Sequence, residues 1–171
     1  KLLKPVFGAI SRTGNVDHVI GIEDLHRQQS GSFGYYNWAT MLEGDPAAAR
    51  AAVENRIAAI GRGDTACIIY TSGTGGAPRG VMQHHGAILA NVEGAGQVVL
   101  EDFGWGDEVF LSFLPLSHAY EHSGGQFLPM LLGGQIYYAE GLEKLASNIE
   151  EARPTIMVVV PRLFEVLRAR I

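Results

Sequence analysis

From residue 65 onward, short apolar runs alternate with helix-periodic stretches, and this alternation restricts the fold more than any other feature of the chain. Thr65 to Tyr70, Asp107 to Phe113, Gln135 to Ala139 and Thr155 to Val160 have the length of strands. The last is a continuous β-branched run of the kind covered on both faces of a sheet. Between them, Ile88, Val92, Ala95 and Val99 share one helical face, and Leu142, Leu145 and Ile149 share another. Leu163, Phe164, Leu167 and Ile171 mark one side of a closing helix. Ser117 to Leu132 predicts a mostly helical segment kinked near Pro129. Such an order predicts an α/β fold, a layered and mainly parallel sheet flanked by helices, read as one α/β unit over residues 1–171.

The first sixty residues carry weaker signals. His18 to Ile22 is a strand candidate, followed by a polar, glycine-rich stretch from Gln28 to Gly34. Asp45 then suits a helix cap and Pro46 the first helical position, with Val53, Ile57 and Ile60 expected on one covered face and Gly61 at the exit.

Composition excludes several classes. With 47% hydrophobic and 18% charged residues, the 171-residue chain can build a core and is not disordered. Its formal charge of −5, with no basic stripe interleaved with aromatics, argues against a general affinity for nucleic acid. One cysteine, Cys67, rules out an intramolecular disulfide and fits a reducing compartment. No apolar run approaches the ~20 residues of a membrane helix. A cytoplasmic setting is expected, with peripheral membrane contact left open. The sequence lacks an initiator Met and a leader pattern, and helical periodicity persists to Ile171, so a piece of a longer protein is expected.

The chemistry concentrates in Tyr70-Thr71-Ser72-Gly73-Thr74-Gly75-Gly76-Ala77-Pro78-Arg79-Gly80-Val81, directly after an apolar strand. Glycines let the backbone approach an anion without Cβ clashes, Thr71, Ser72 and Thr74 add hydroxyl donors, and Arg79 adds a fixed charge. The phosphate loop GxxxxGK[ST] is absent, since no Gly-Lys-Ser/Thr follows at the required spacing. The dinucleotide pattern fails because Pro78 stands at its third glycine position.

The loop resembles the signature of the adenylate-forming enzymes, close to [YF]TSG[ST]TGxPKGV. Gly75 departs from the usual hydroxyl residue and Arg79 from the usual Lys. Downstream, Phe113-Leu114-Pro115-Leu116-Ser117-His118-Ala119-Tyr120-Glu121 is similar to the LPLxHxxE segment of the long-chain fatty acyl-CoA synthetase branch. The resemblance covers about residues 60 to 171. It implies an internal fragment of the large N-terminal AMP-binding domain of an ATP-dependent fatty acid–CoA ligase. It further implies ATP, Mg2+ and coenzyme A as cofactors and a fatty acid as substrate. On the same ground Thr71, Ser72, Gly73, Thr74, Gly75, Gly76 and Arg79 are expected to hold phosphates. His118 is the expected catalytic-site residue, lining the acyl or adenylate pocket.

Two rival readings use the same residues. His118-Ala119-Tyr120-Glu121-His122 fits the inverted zincin pattern HxxEH, but no helical carboxylate downstream carries a motif for the third ligand, so no metal residue is assigned. A degenerate, non-catalytic nucleotide-binding scaffold is the other, kept open by Gly75 and Arg79. Cys67 and Met82 read as core residues, and His84 and His85 as helix-opening ones.

In the family, the later adenine and magnesium segment and the C-terminal domain with the catalytic lysine follow the region matched here. Residues 1–171 alone are therefore expected to form no ATP-dependent thioester. A coupled pyrophosphate assay on the purified chain checks this, and measurable turnover contradicts it.

Overall fold

The computed structural model describes residues 8–10, 12–22, 33–72, 76–104 and 106–168. The chain divides into two compact units, residues 1–59 and 60–171. In the first, β1 (His18–Gly21) and β2 (Gly34–Asn37) pair in parallel, His18 opposite Gly34 through Gly21 opposite Asn37. A single turn, α1 (Trp38–Met41), follows, and then α2 (Pro46–Ala59). Asp45 caps α2 as expected, its Oδ1 accepting from the Ala47 amide at 2.9 Å. The expected covered face is not formed: Val53 and Ile57 are exposed and no residue of α2 is buried. This alanine-rich segment is helical through backbone propensity, without a packed stripe. The glycine-rich expectation from Gln28 to Gly34 lies mostly outside the described residues.

In the second unit, β3 (Thr65–Thr71) and β4 (Arg79–His84) form an antiparallel hairpin with a bulge between Thr65 and Cys67. Helix α3 (His85–Phe103) starts on the next residue, and the His84 Nδ1 caps it by accepting from the Ala87 amide at 3.0 Å. Amides of His85 and Gly86 donate to the carbonyls of Asp64 and Arg62, tying the helix start to the turn before β3. Cys67 packs against the core and lies 3.8 Å from Gln83 Oε1, as a structural residue should, whereas Met82, also expected in the core, is exposed.

β5 (Val109–Ser112) and β6 (Gln135–Tyr138) pair in parallel, Val109 opposite Gln135 through Ser112 opposite Tyr138. Alternation along β5 sends Phe110 and Leu111 to opposite faces. Phe110, 1% exposed, packs with Ile88 and Val92 of α3 and with Leu128 and Leu132 of α5 (Leu128–Leu132). Leu111 packs with Leu145 of α6 (Leu145–Ala152) and Leu163 of α7 (Pro161–Arg168). Helices thus cover both sides of this pair, as an α/β layered fold requires. The parallel pairing agrees with the sequence. Among the described residues the strands make three separate pairs, the hairpin being the antiparallel one.

Two further local expectations are corrected. Thr155 to Val160 is not a strand: it makes one parallel bridge, Phe110 to Ile156, and the ladder stops there. Its side chains still pack on both faces, Ile156 with the Phe110 cluster and Met157 and Val159 with the Leu111 cluster. The β-branched run therefore reports two-sided burial rather than hydrogen bonding. The helical segment runs as α4 (Ala119–Glu121), a π-helical stretch His122–Phe127, and α5. Its irregularity is the π stretch, which ends two residues before Pro129 and contains Gly125, the residue four positions back whose carbonyl a proline cannot bond. In α7, Leu163 is buried but Phe164 is 62% exposed. The side chains of Leu167 and Ile171 lie outside the described residues.

Gly134 joins α5 to β6 where a Cβ would stand 2.9 Å from the Glu108 carbonyl oxygen and 3.3 Å from the Phe110 ring. Gly134→Ala should cost about 1–3 kcal/mol through overpacking, and Phe110→Ala about 3–5 kcal/mol through the cavity it leaves. Urea unfolding midpoints check both, with Phe110→Ala expected to be the more damaging.

Candidate functional site

The hairpin register sets Thr71 directly opposite Arg79, so the two residues close the mouth of the glycine loop. Thr71 Oγ1 lies 3.5 Å from the Arg79 carbonyl oxygen, too long for a strong bond. Thr71, Ser72, Gly76 and Arg79 are all exposed, and among the described residues no carboxylate pairs with Arg79. Gly76 has φ of +83°, and a Cβ there would meet nothing within 4 Å. Glycine is therefore needed at residue 76 for its backbone angle rather than for space. Gly73, Thr74 and Gly75, expected to hold phosphates, lie outside the described residues. The described part of the tip is open, with a free cation and hydroxyls at its rim.

His118 stands on a separate loop, between β5 and α4, and no hydrogen bond among the described residues joins it to the hairpin. It caps α4: its backbone is extended, and Nδ1 faces the Tyr120 amide at 3.4 Å. The His118 amide donates to the Pro115 carbonyl at 2.8 Å, which tightens the turn before the helix. The imidazole is exposed.

The sequence names Glu121 only as part of the LPLxHxxE and HxxEH patterns and gives Ser112 and Gly125 no role. Glu121 is 0% exposed, and its Oε1 accepts from the Ser112 hydroxyl at 2.6 Å. Oε2 is buried without a hydrogen bond of normal geometry, although the Phe113 and Leu114 amides lie near enough to favour the charged form. Gly125 makes room for it, since a Cβ at that position would run into the carboxylate. Burial pushes the Glu121 carboxyl above its ordinary value. The Ser112 hydroxyl, the two amides and the charge of His118 pull it back only in part. A Glu three residues after a capping residue reads as half of a capping box, which would turn it back to the helix start. Here it turns to the strand instead, a direction set by tertiary packing.

The zincin reading finds no footing in this geometry. His118 is exposed, Glu121 is buried against Ser112, and His122 packs its ring edge-on to Phe127 with centroids 4.9 Å apart. Among the described residues no group of three or more His, Cys, Asp or Glu side chains could hold a metal ion.

The family model described as AMP-binding enzyme matches residues 13–170. The chain belongs to the AMP-binding enzyme family. Similar members include the peroxisomal long chain acyl-CoA synthetase 7 of Arabidopsis thaliana, 41% identical over 59% of this chain and 14% of that protein. Long-chain-fatty-acid–CoA ligase 1 of Saccharomyces cerevisiae is 36% identical over 63% and 16%. The Drosophila melanogaster long-chain-fatty-acid–CoA ligase heimdall is 34% identical over 81% of this chain and 21% of its own. This AMP-binding chain thus spans roughly a fifth or less of the relatives it matches. Among solved structures, o-succinylbenzoate CoA synthetase of Bacillus subtilis with its acyl-adenylate intermediate superposes with a TM-score of 0.53. That match is 23% identical over 66% of this chain and 29% of the other, and it supports the fold.

The raised carboxyl of Glu121 has a thermodynamic consequence. Between the ordinary value of 4.5 and the higher native one, the folded state holds a proton that the unfolded state has released. Stability contributed by this proton is therefore present at acid pH and lost as pH rises through that window. Urea midpoints measured at increasing pH should fall across the window in the native sequence, and Glu121→Gln should remove this component of the slope.

Proposed function

We propose that the intact protein activates a fatty acid in two steps, first to an acyl-adenylate and then to a coenzyme A thioester. In the first step a carboxylate oxygen attacks the α-phosphorus of ATP, a new P–O bond forms, and the bond to the leaving pyrophosphate breaks. In the second the thiol sulfur of coenzyme A attacks the acyl carbon, AMP departs with the electrons of the broken C–O bond, and the thiol proton is released. The observation that carries the reading is the open tip of the β3–β4 hairpin, with Thr71, Ser72 and Gly76 exposed beside the free guanidinium of Arg79. Its sequence matches the adenylate-forming signature, and its family is that of AMP-binding enzymes.

In this reading Thr71, Ser72, Gly73, Thr74, Gly75, Gly76 and Arg79 cradle the β- and γ-phosphates. Their hydroxyls, amides and positive charge offset the charge that builds on the departing pyrophosphate. His118 borders the acyl or adenylate group. Magnesium would neutralise phosphate charge on the bound nucleotide. The long-chain class follows from the names of the relatives and from the LPLxHxxE segment. Among the described residues no helix is long and apolar enough to cross a membrane. We assign the activity to the cytoplasm or a membrane surface.

The test is AMP release by the intact protein from ATP, coenzyme A and carboxylic acids of graded length. Release with long-chain fatty acids is expected; release with amino acids alone moves the assignment to a peptide-synthetase type. The departures at residues 75 and 79 favour a second reading, a scaffold that has lost turnover. Paired Gly75→Thr and Arg79→Lys substitutions separate the two. Little change in ATP affinity is expected, whereas a large gain means that the native loop has decayed. Arg79→Ala should raise the KM for ATP by about tenfold, the loss of one charge-assisted contact of ~1.5 kcal/mol.

A further inference from the structure

One buried side chain closes the loop that carries His118. Ser112 ends β5 and Glu121 ends α4, and between them the chain leaves the sheet through Phe113 and Leu114 and turns at Pro115 to His118. From Pro115 to Tyr120 every residue is exposed, so the excursion has no packing of its own. Its two ends meet at the Glu121 carboxylate, which takes the Ser112 hydroxyl at 2.6 Å and lies beside the Phe113 and Leu114 amides. Gly125, one π-helical turn further on, supplies the space in which that carboxylate sits.

We propose that Glu121 is a positioning residue for His118, a clamp between the end of β5 and the end of the single-turn α4 that fixes where the imidazole stands and which ring nitrogen it presents. With the clamp closed, α4 begins at Ala119, the Tyr120 amide faces the His118 Nδ1, and Nε2 is the nitrogen left for a ligand. Acceptance by Nδ1 selects the tautomer that carries its proton on Nε2. A second observation explains why the clamp is a carboxylate. Strand alternation puts Ser112 on the Phe110 face, where α4 and the π-helical stretch pack, so its hydroxyl donates to Glu121 Oε1 with the Phe113 and Leu114 amides close by. An amide side chain keeps the shape but turns NH2 donors toward those NH groups, and so opens the clamp without leaving a cavity. The inference deepens the fatty-acid reading and rests on it for the role of His118. The clamp itself rests on the Ser112 hydrogen bond, the burial of Glu121 and the space left at Gly125.

The experiment uses the intact protein with Glu121→Gln, Ser112→Ala and Gly125→Ala, the last driving a methyl group into the carboxylate from the opposite side. Carboxylate-dependent exchange of pyrophosphate into ATP should lose about 10- to 100-fold in kcat for Glu121→Gln, as expected for a misplaced group, with the KM for ATP unchanged. Gly125→Ala should follow it, and Ser112→Ala should show a smaller fall in the same parameter. Independently of activity, 15N spectra of labelled histidine should show the His118 ring as the Nε2–H tautomer in the native protein and as a tautomer mixture in Glu121→Gln. Native kcat per folded molecule together with an unchanged His118 tautomer overturns the clamp. If Glu121→Gln does not fold, the Ser112→Ala pair of measurements decides by the same criteria. If the native protein turns over no fatty acid, the functional reading fails, and the tautomer spectra still decide the clamp.

Discussion

The two-sided burial of β5 holds the second unit together. Phe110 and Leu111 are neighbours in the chain, yet each is the centre of a different apolar cluster, one under α3 and α5 and the other under α6 and α7. Each contributes on the order of 2–3 kcal/mol by leaving water, but their larger effect is geometric. A strand anchored from both faces cannot twist or slip by one residue without exchanging its two clusters. Because β5 is fixed, its end at Ser112 is fixed, and the loop that carries His118 departs from a defined point.

The second unit was more legible than the first, for a physical reason. Helix and strand periods show in a sequence only where one face is buried, and α3, β5 and α6 all bury one. In α3, Ile88 and Val92 are buried with Ala95 and Val99 packed beside them, as their spacing predicts. In α2 the same kind of spacing joins exposed residues, so the pattern there has no structural partner in the unit. The run from Thr155 to Val160 was misread as a strand because β-branched residues report contact on both sides, whereas a ladder also needs a neighbour in register. The irregularity expected near Pro129 takes the form of a π stretch just before it, which holds Gly124 and Gly125 where Val158 and the Glu121 carboxylate come close.

At the candidate site the residues proposed to meet a phosphate, the hydroxyls, glycines and cation from Thr71 to Arg79, form a recognisable string in the sequence, whereas Ser112 and Gly125 give no such signal. Ser112 stands nine residues before Glu121 and Gly125 four after it, yet the three meet only through the end of β5 and the π turn, a geometry that their spacing does not announce. The buried carboxyl shows how far this support departs from an ordinary surface: its environment costs the charged form more than the hydroxyl, amides and His118 return.

His84 has a mechanical consequence. It is at once the last residue of β4 and the cap of α3, so no linker separates the hairpin from the helix. Sliding β4 past β3 by a single position would turn the helix by about 100° about its axis, rolling Ile88 and Val92 away from Phe110. The pairing of Thr71 with Arg79 at the hairpin tip and the seating of α3 in the core are therefore one alignment, transmitted without slack from the tip to the interior.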